Sequence, residues 1–269
     1  MFKTRQKVGK YIIQGKLGSG GFSIVYRAMD TVEGIRVALK VPFARHLSSD
    51  VLADFRKEVR LVAQLKHPNI LALKNADFVD EHFLVAFPLG EGSLADRLRY
   101  RISTSLALSY AEQILRAVAY AHENHIIHCD IKPENIILFP EKQLALTDFG
   151  IAKISLRTVH GSGSGTLGHM APEQAMGKPS YRSDVFSIGL ILYRMFGGHW
   201  PEYPFAWPFP GHRRLKSNLH SDLIEMIQKS LSVNPRARFA DASVMLKAFL
   251  KAKARAVRLI EANATKSRT

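Results

Sequence analysis

Apolar and polar residues alternate with a period of two over residues 11–18, 22–28 and 35–41, with turn residues between the runs. This pattern predicts three consecutive strands. The period then changes. Over residues 49–65 an apolar stripe runs through Val51, Leu52, Phe55, Val59 and Val62 behind a cap at Ser48 or Ser49, which predicts a helix. Two more strands are expected at 70–78 and 82–87, and helices at 93–101 and 105–124, the second amphipathic through Leu108, Ala111, Ile114, Leu115, Val118 and Ala119. A hairpin interrupts the helices, with strands at 136–138 and 144–147 around Pro140, Glu141 and Lys142. Further helices are expected at 183–196, 221–231 and from 242 to about 260. The fold class is therefore α+β: five strands around one main helix, then a mostly helical part.

The hairpin is the centre of the chain's chemistry. A hairpin holds its two flanks together, and here the flanks carry Asp130, Lys132, Asn135 and Asp148. Phosphoryl transfer asks little covalent help of a protein. It needs a divalent metal on the phosphates, a cation on the migrating group and a carboxylate that orients the acceptor. Asp148 and Asn135 offer hard oxygens that suit Mg²⁺. Lys132 offers a point charge, and Asp130 can accept the proton of a hydroxyl.

The run His128-Cys129-Asp130-Ile131-Lys132-Pro133-Glu134-Asn135, with Asp148-Phe149-Gly150 starting thirteen residues after Asn135, resembles the catalytic and magnesium loops of the eukaryotic-type (Hanks-type) protein kinases. Lys132-Pro133-Glu134 resembles their serine/threonine branch. The resemblance implies a bilobal kinase domain over 11–250, with an N-lobe at about 11–87, a C-lobe at about 90–250, and basic terminal extensions at 1–10 and 251–269. It also implies ATP and Mg²⁺ bound between the lobes and a protein substrate with a serine or threonine acceptor. Asp130 and Lys132 would be catalytic, and Asn135 and Asp148 would hold the metal.

The remaining implied contacts are to nucleotide. Glycines let a hairpin turn press its amides onto phosphates. Leu17, Gly18, Ser19, Gly20, Gly21 and Val25 resemble the glycine-rich loop, although Ser23 stands where the third glycine falls. Val37-Ala38-Leu39-Lys40 resembles the third-strand motif, with Ala38 beside adenine and Lys40 paired to Glu58 on the phosphates. Phe87 and Leu89 would offer backbone groups to adenine, and Ile137 would lie beneath it. Ala86 falls at the gatekeeper position. Its small side chain leads to the expectation that ATP analogues with bulky N6 groups are accepted.

Other positions are implied as supports. His128 belongs to a packed column with Phe149, Val62 and Leu73; Asp184 braces the catalytic loop; Glu173 pairs with Arg238; Thr166 contacts Asp130 and Lys132. Departures from the family include His169 for an aromatic, Phe186 for tryptophan, and a stretch at 197–210, rich in proline and aromatics, that matches poorly and reads as packing material. Cys129 replaces the arginine that helps to grip a phosphate on the activation segment. Asp54 stands where a second cation could help, leaving Lys153. Activity without phosphorylation near Ser155, Thr158, Ser162 or Ser164 is therefore expected.

Composition narrows the setting. The chain has 269 residues, 46% hydrophobic, with no apolar run long enough to span a bilayer and no signal peptide at its start. Its single cysteine, Cys129, excludes an internal disulfide, so a soluble cytoplasmic protein is expected. The net charge of +15 is spread, with clusters only at 97–101, 213–216 and 247–268, and no nucleic-acid motif accompanies it. A solvated basic face is the expectation, with a preference for acidic protein surfaces as the second reading and no specific nucleic-acid partner. Two rival classes stand beside an active kinase. A pseudokinase scaffold would lack one of Lys40, Asp130, Asn135 or Asp148, and a small-molecule phosphotransferase of kinase-like fold would lack Lys132.

Overall fold

A computed structural model of the chain describes residues 1–21, 23–43, 49–149 and 170–266. They form two compact units: Met1–Glu91 with Phe149 belongs to the first, and Gly92–Asp148 with the chain from 170 onward to the second.

The first unit is an antiparallel sheet of β1 (Lys7–Val8), β2 (Tyr11–Ser19), β3 (Ser23–Asp30), β4 (Ile35–Pro42), β5 (Asn75–Val79) and β6 (His82–Pro88), in the order β1-β2-β3-β4-β6-β5. The five strands expected from alternation are joined by the two-residue β1 at one edge. Side chains alternate across the sheet. One face buries Tyr11, Ile13, Ile24, Tyr26, Leu39 and Leu84; the other carries Phe83 and Val85 against Val59 of α1 (Ser49–Gln64) and Leu73. The ladder of β5 starts at Asn75, five residues after the expected start, although Ile70 and Leu71 are buried. Apolar residues there fill the core, and Ile70 makes only an isolated bridge ahead of the ladder.

In the second unit β7 (Gly92–Ser93), β8 (Ile136–Phe139) and β9 (Gln143–Leu146) form a small sheet. α2 (Leu94–Arg97) is shorter than expected, with a capping box between Ser93 and Asp96. α3 (Thr104–Glu123) clamps the hairpin through Gln113, whose side chain donates to Lys142 O at 2.9 Å and accepts from Leu144 N at 2.9 Å. The helix Tyr181–Gly197 is apolar nearly all round and buried accordingly. His212–Asn218, Ser221–Ser230 and Ala242–Lys266 complete the unit, the first of these being a helix that the periodicity did not indicate. Among the described residues no helix is long and apolar enough to cross a membrane.

Candidate active site

The hairpin register pairs Ile136 with Leu146, and the ladder runs on as Thr147 N–H donates to Asn135 O at 2.9 Å. Asn135 therefore stands opposite Thr147 at the open end of the hairpin, and Asp148 is the next residue of the chain. Asp148 has φ +63°, as does Cys129. A side chain in this left-handed region costs about 1–2 kcal/mol, so both positions must be held by their surroundings.

For Cys129 the holding groups are visible. Its N–H donates to Asp184 Oδ1 at 2.9 Å, and its carbonyl accepts from the buried Gln174 side chain. Asp184 Oδ2 accepts the His128 N–H at 2.8 Å and meets His122 Nε2 at 2.9 Å. His122 Nδ1 accepts the Ala242 N–H at 3.0 Å, so its proton must sit on Nε2 and point at Asp184. His128 follows the same rule. Its Nδ1 accepts the Asp130 N–H at 3.2 Å, which leaves Nε2–H to donate to Thr147 O at 2.9 Å. With both ring nitrogens engaged by backbone, His128 ties the two flanks of the hairpin together and has no lone pair for a substrate proton.

Asp130 is the group so presented. Lys132 Nζ lies 3.0 Å from its Oδ1 and 2.8 Å from its Oδ2, and the carboxylate side chain remains 34% exposed. Asn135 Nδ2 donates to Asp130 O at 2.9 Å and to Asp130 Oδ2 at 2.8 Å. Those two acceptors settle which way the amide faces, and its Oδ1 is left for another partner. Glu173 pairs with Arg238 through contacts of 2.6 and 3.0 Å, and accepts from Ser183 Oγ at 2.8 Å. Burial alone would raise the Glu173 carboxyl. Hydrogen bonds from Arg238, the backbone and Ser183 outweigh it and hold the group below its ordinary value.

Residues 11–250 match the family described as protein kinase domain. The chain belongs to the protein kinase family. Serine/threonine-protein kinase PknL of Mycobacterium bovis is 31% identical over 254 residues, covering 88% of this chain and 64% of PknL. PrkC of Bacillus subtilis is 32% identical over 201 residues, 72% of this chain and 31% of PrkC. Aurora kinase of Schizosaccharomyces pombe is 32% identical over 251 residues, 88% of this chain and 70% of that protein. The chain thus spans 64% of PknL and a smaller part of PrkC. Among solved structures, the PknI kinase domain of Mycobacterium tuberculosis aligns with a TM-score of 0.70 at 21% identity, over 93% of this chain and 99% of that one, a likeness of fold.

β2, β3 and β4 of the first unit carry the residues for which nucleotide contacts are expected. Gly18 pairs with Val25 and Ser19 with Ile24, and Gly20 N–H closes the turn onto Ser23 O at 2.9 Å. Leu17 is exposed on the same hairpin. Lys40, buried to 6% exposure, pairs with Val25 on one side and Val85 on the other, and Ala38 pairs with Phe87. In an antiparallel ladder, directly paired residues project to the same face. Val85 and Phe87 therefore share the face of Lys40 and Ala38. Ala86 pairs with Leu39 and sits at 2% exposure in the core on the opposite face. Ala86 thus packs into the strand core on the face opposite Lys40.

Leu89 follows β6 and is half-buried, and Ile137 pairs with Ala145 in the hairpin. The Glu58 side chain, Phe22, Asp54 as a side chain, and residues 150–169, with Lys153, Ser155, Thr158, Ser162, Ser164, Thr166 and His169, lie outside the described residues. Two supports escaped the sequence reading, His122 and Gln174. Gln174 had a faint signal in its place directly after Glu173, whereas His122 looked like any other residue near the end of an amphipathic helix.

Proposed function

We propose that this chain transfers the γ-phosphate of ATP to serine and threonine hydroxyls of proteins. The observation that carries the reading is the Asp130 carboxylate, gripped by Lys132 and Asn135 yet one-third exposed. In the proposed step the acceptor hydroxyl passes its proton to Asp130 as its oxygen bonds to the γ-phosphorus. The bond from that phosphorus to the β–γ bridging oxygen breaks, and ADP leaves with the electron pair. Lys132, held on the same carboxylate, steadies the migrating group.

The donor set fits Mg²⁺. Asn135 Oδ1 and the Asp148 carboxylate would hold it, in keeping with an ion that takes one or two protein carboxylates and completes its shell with phosphate and water. When bound, such an ion neutralises charge on the phosphates. The turn at Gly18–Gly21 and the Lys40 ammonium, on the face with Ala38, Val25 and Phe87, serve the nucleotide from the first unit. The experiment is incubation with labelled ATP, Mg²⁺, generic protein substrates and a panel of small hydroxyl compounds. Label in serine and threonine is expected. Label in small compounds alone, or nowhere, overturns the reading.

In this reading nucleotide selectivity rests on Phe87, which shares the face of Lys40 in the register of β6. Wild-type enzyme is expected to reject an N6-benzyl ATP analogue, and Phe87→Ala to accept it, because Phe87 shares the face of Lys40. Ala86→Met instead crowds a packed core and costs about 1–3 kcal/mol of stability. Transfer from the analogue by wild type at the rate seen with ATP would show that Phe87 does not close this space.

Control follows from Cys129. A neutral thiol cannot pair with a phosphate on the activation segment, and both backbone groups of Cys129 are already tied to Asp184 and Gln174. Phosphatase-treated enzyme is expected to keep its initial rate, and alanine at Ser155, Thr158, Ser162 and Ser164 to change it little. A fall of about tenfold, or ~1.4 kcal/mol of barrier, in either measurement would show that phosphorylation is required.

A further inference from the structure

The loop between helices Tyr181–Gly197 and His212–Asn218 is built as a rigid platform. Its alternate aromatics turn inward. Phe205 meets Phe186 edge-on at 5.1 Å, Trp207 meets Tyr193 at 5.7 Å, and Phe209 meets Tyr193 at 5.2 Å. Tyr193 Oη also donates to Phe209 O at 2.8 Å and to Pro210 O at 3.1 Å. The residues between these anchors face out: Pro204, Ala206, Pro208 and Pro210 are exposed, and Tyr203 is 85% exposed. Three prolines in this strip have fixed φ and no N–H, so the strip is stiff and loses little freedom when it is covered.

The strip borders a groove of about 470 Å³, walled by Pro204, Pro208 and Trp200 and lined also by Arg194, His199 and Glu202. Its charges are unbalanced. Arg194 donates to the carbonyls of Leu98, at 2.7 Å, and Gly198, and its Nε is buried with no hydrogen-bond partner. The Trp200 ring lies 6.0 Å from the Arg194 guanidinium carbon. Arg214 reaches the same place, with Nη1 2.9 Å from where a Cβ on Gly198 would stand. Among the described residues no carboxylate pairs with Arg194 or Arg214, and the one carboxylate in the lining, Glu202, is exposed to solvent. An exposed apolar strip beside unneutralised guanidiniums is uncommon on a lone protein surface.

We propose that this groove docks an acidic segment of a partner protein, with a proline or aromatic side chain laid against Trp200 and the proline strip and a carboxylate set toward Arg194 and Arg214. Charge selects this occupant. A second copy of the chain would bring another +15 to the contact and be repelled, whereas an acidic segment is drawn in and oriented. The concave form suits a chain segment better than a flat lipid surface. Docking here is independent of phosphate transfer.

The test selects a displayed library of short random peptides on the wild-type chain, with counter-selection on Trp200→Ala/Arg214→Glu. Enriched peptides are expected to be rich in aspartate and glutamate together with proline or aromatics. In fluorescence anisotropy the strongest of them should bind at least about tenfold more weakly to Arg214→Glu, ~1.4 kcal/mol, and more weakly as salt rises. Arg214→Glu alone leaves the aromatic packing untouched, and an unchanged melting temperature verifies that it folds. Absence of enrichment, enrichment without acidic residues, or equal binding by Arg214→Glu each overturns the proposal. So does a chain that takes no peptide but sediments with anionic phospholipid vesicles.

Discussion

Asp130→Asn is expected to lower phosphate transfer by about 10² to 10⁴-fold while Mg-nucleotide affinity stays nearly intact. The geometry explains why so small a change has so large an effect. Three donor contacts converge on this carboxylate, from Lys132 at 3.0 and 2.8 Å and from Asn135 at 2.8 Å. An amide can satisfy one side of that arrangement with its oxygen. Its NH₂ then occupies the other side, facing an ammonium and an incoming hydroxyl, and cannot accept a proton from either. Asp148→Asn should behave differently. It removes a negative oxygen donor at the proposed metal position, so both nucleotide affinity and rate should fall. Initial rates with labelled ATP and nucleotide titrations on the two variants separate the roles. Equal activity in Asp130→Asn and wild type would sink the catalytic assignment.

The second large effect concerns stability. Arg238→Ala should destabilise the chain by about 3–5 kcal/mol, the usual result of leaving one half of a buried ion pair alone. The melting temperature should fall by roughly 6–20 °C, at about 2–4 °C per kcal/mol for a chain of this size. The Arg238 side chain is fully buried and makes more than the bidentate contact with Glu173. It donates to Ser232 O at 2.7 Å, Arg182 O at 3.0 Å and Val233 O at 3.2 Å, and its guanidinium carbon lies 4.5 Å from the centre of the Phe186 ring. Alanine leaves three carbonyls and one carboxylate without their donor. The double variant Glu173→Leu/Arg238→Met should recover most of the loss, because it removes the stranded charge as well.

The same pair sets a dependence on pH. The folded Glu173 carboxyl is held below its ordinary value of 4.5. Its contribution is therefore complete above that ordinary value and is lost as the pH falls through the lower, folded one. The stability gap between wild type and Arg238→Ala should be full at neutral pH and shrink in acid. Calorimetry at several pH values measures it, and a gap that is constant into strong acid would show that Glu173 is not the partner that matters.

Much of this protein was legible in the chain itself, for local physical reasons. Period-two alternation in residues 11–41, the stripe through Val51, Phe55, Val59 and Val62, and the hairpin at 136–147 are patterns in which each residue's neighbours in sequence are also its neighbours in the element. Asp130, Lys132, Asn135 and Asp148 were found together because a hairpin returns the chain to where it left. What only the tertiary structure decided involves residues far apart or a choice of register. His122 reaches Asp184 across 62 residues, and Gln174 reaches Cys129 across 45. No spacing rule links such pairs, since packing of helices alone brings them into contact. The face of Ala86 was decided by how β6 pairs with β4. A side-chain period of two means that a shift of one residue in that pairing moves every side chain to the other face. The loop at 198–211 alternates aromatics with prolines and alanine over 203–210 outside any sheet, so which of the two sets turns inward is decided by the surface of Tyr181–Gly197, where Phe186 and Tyr193 receive Phe205, Trp207 and Phe209.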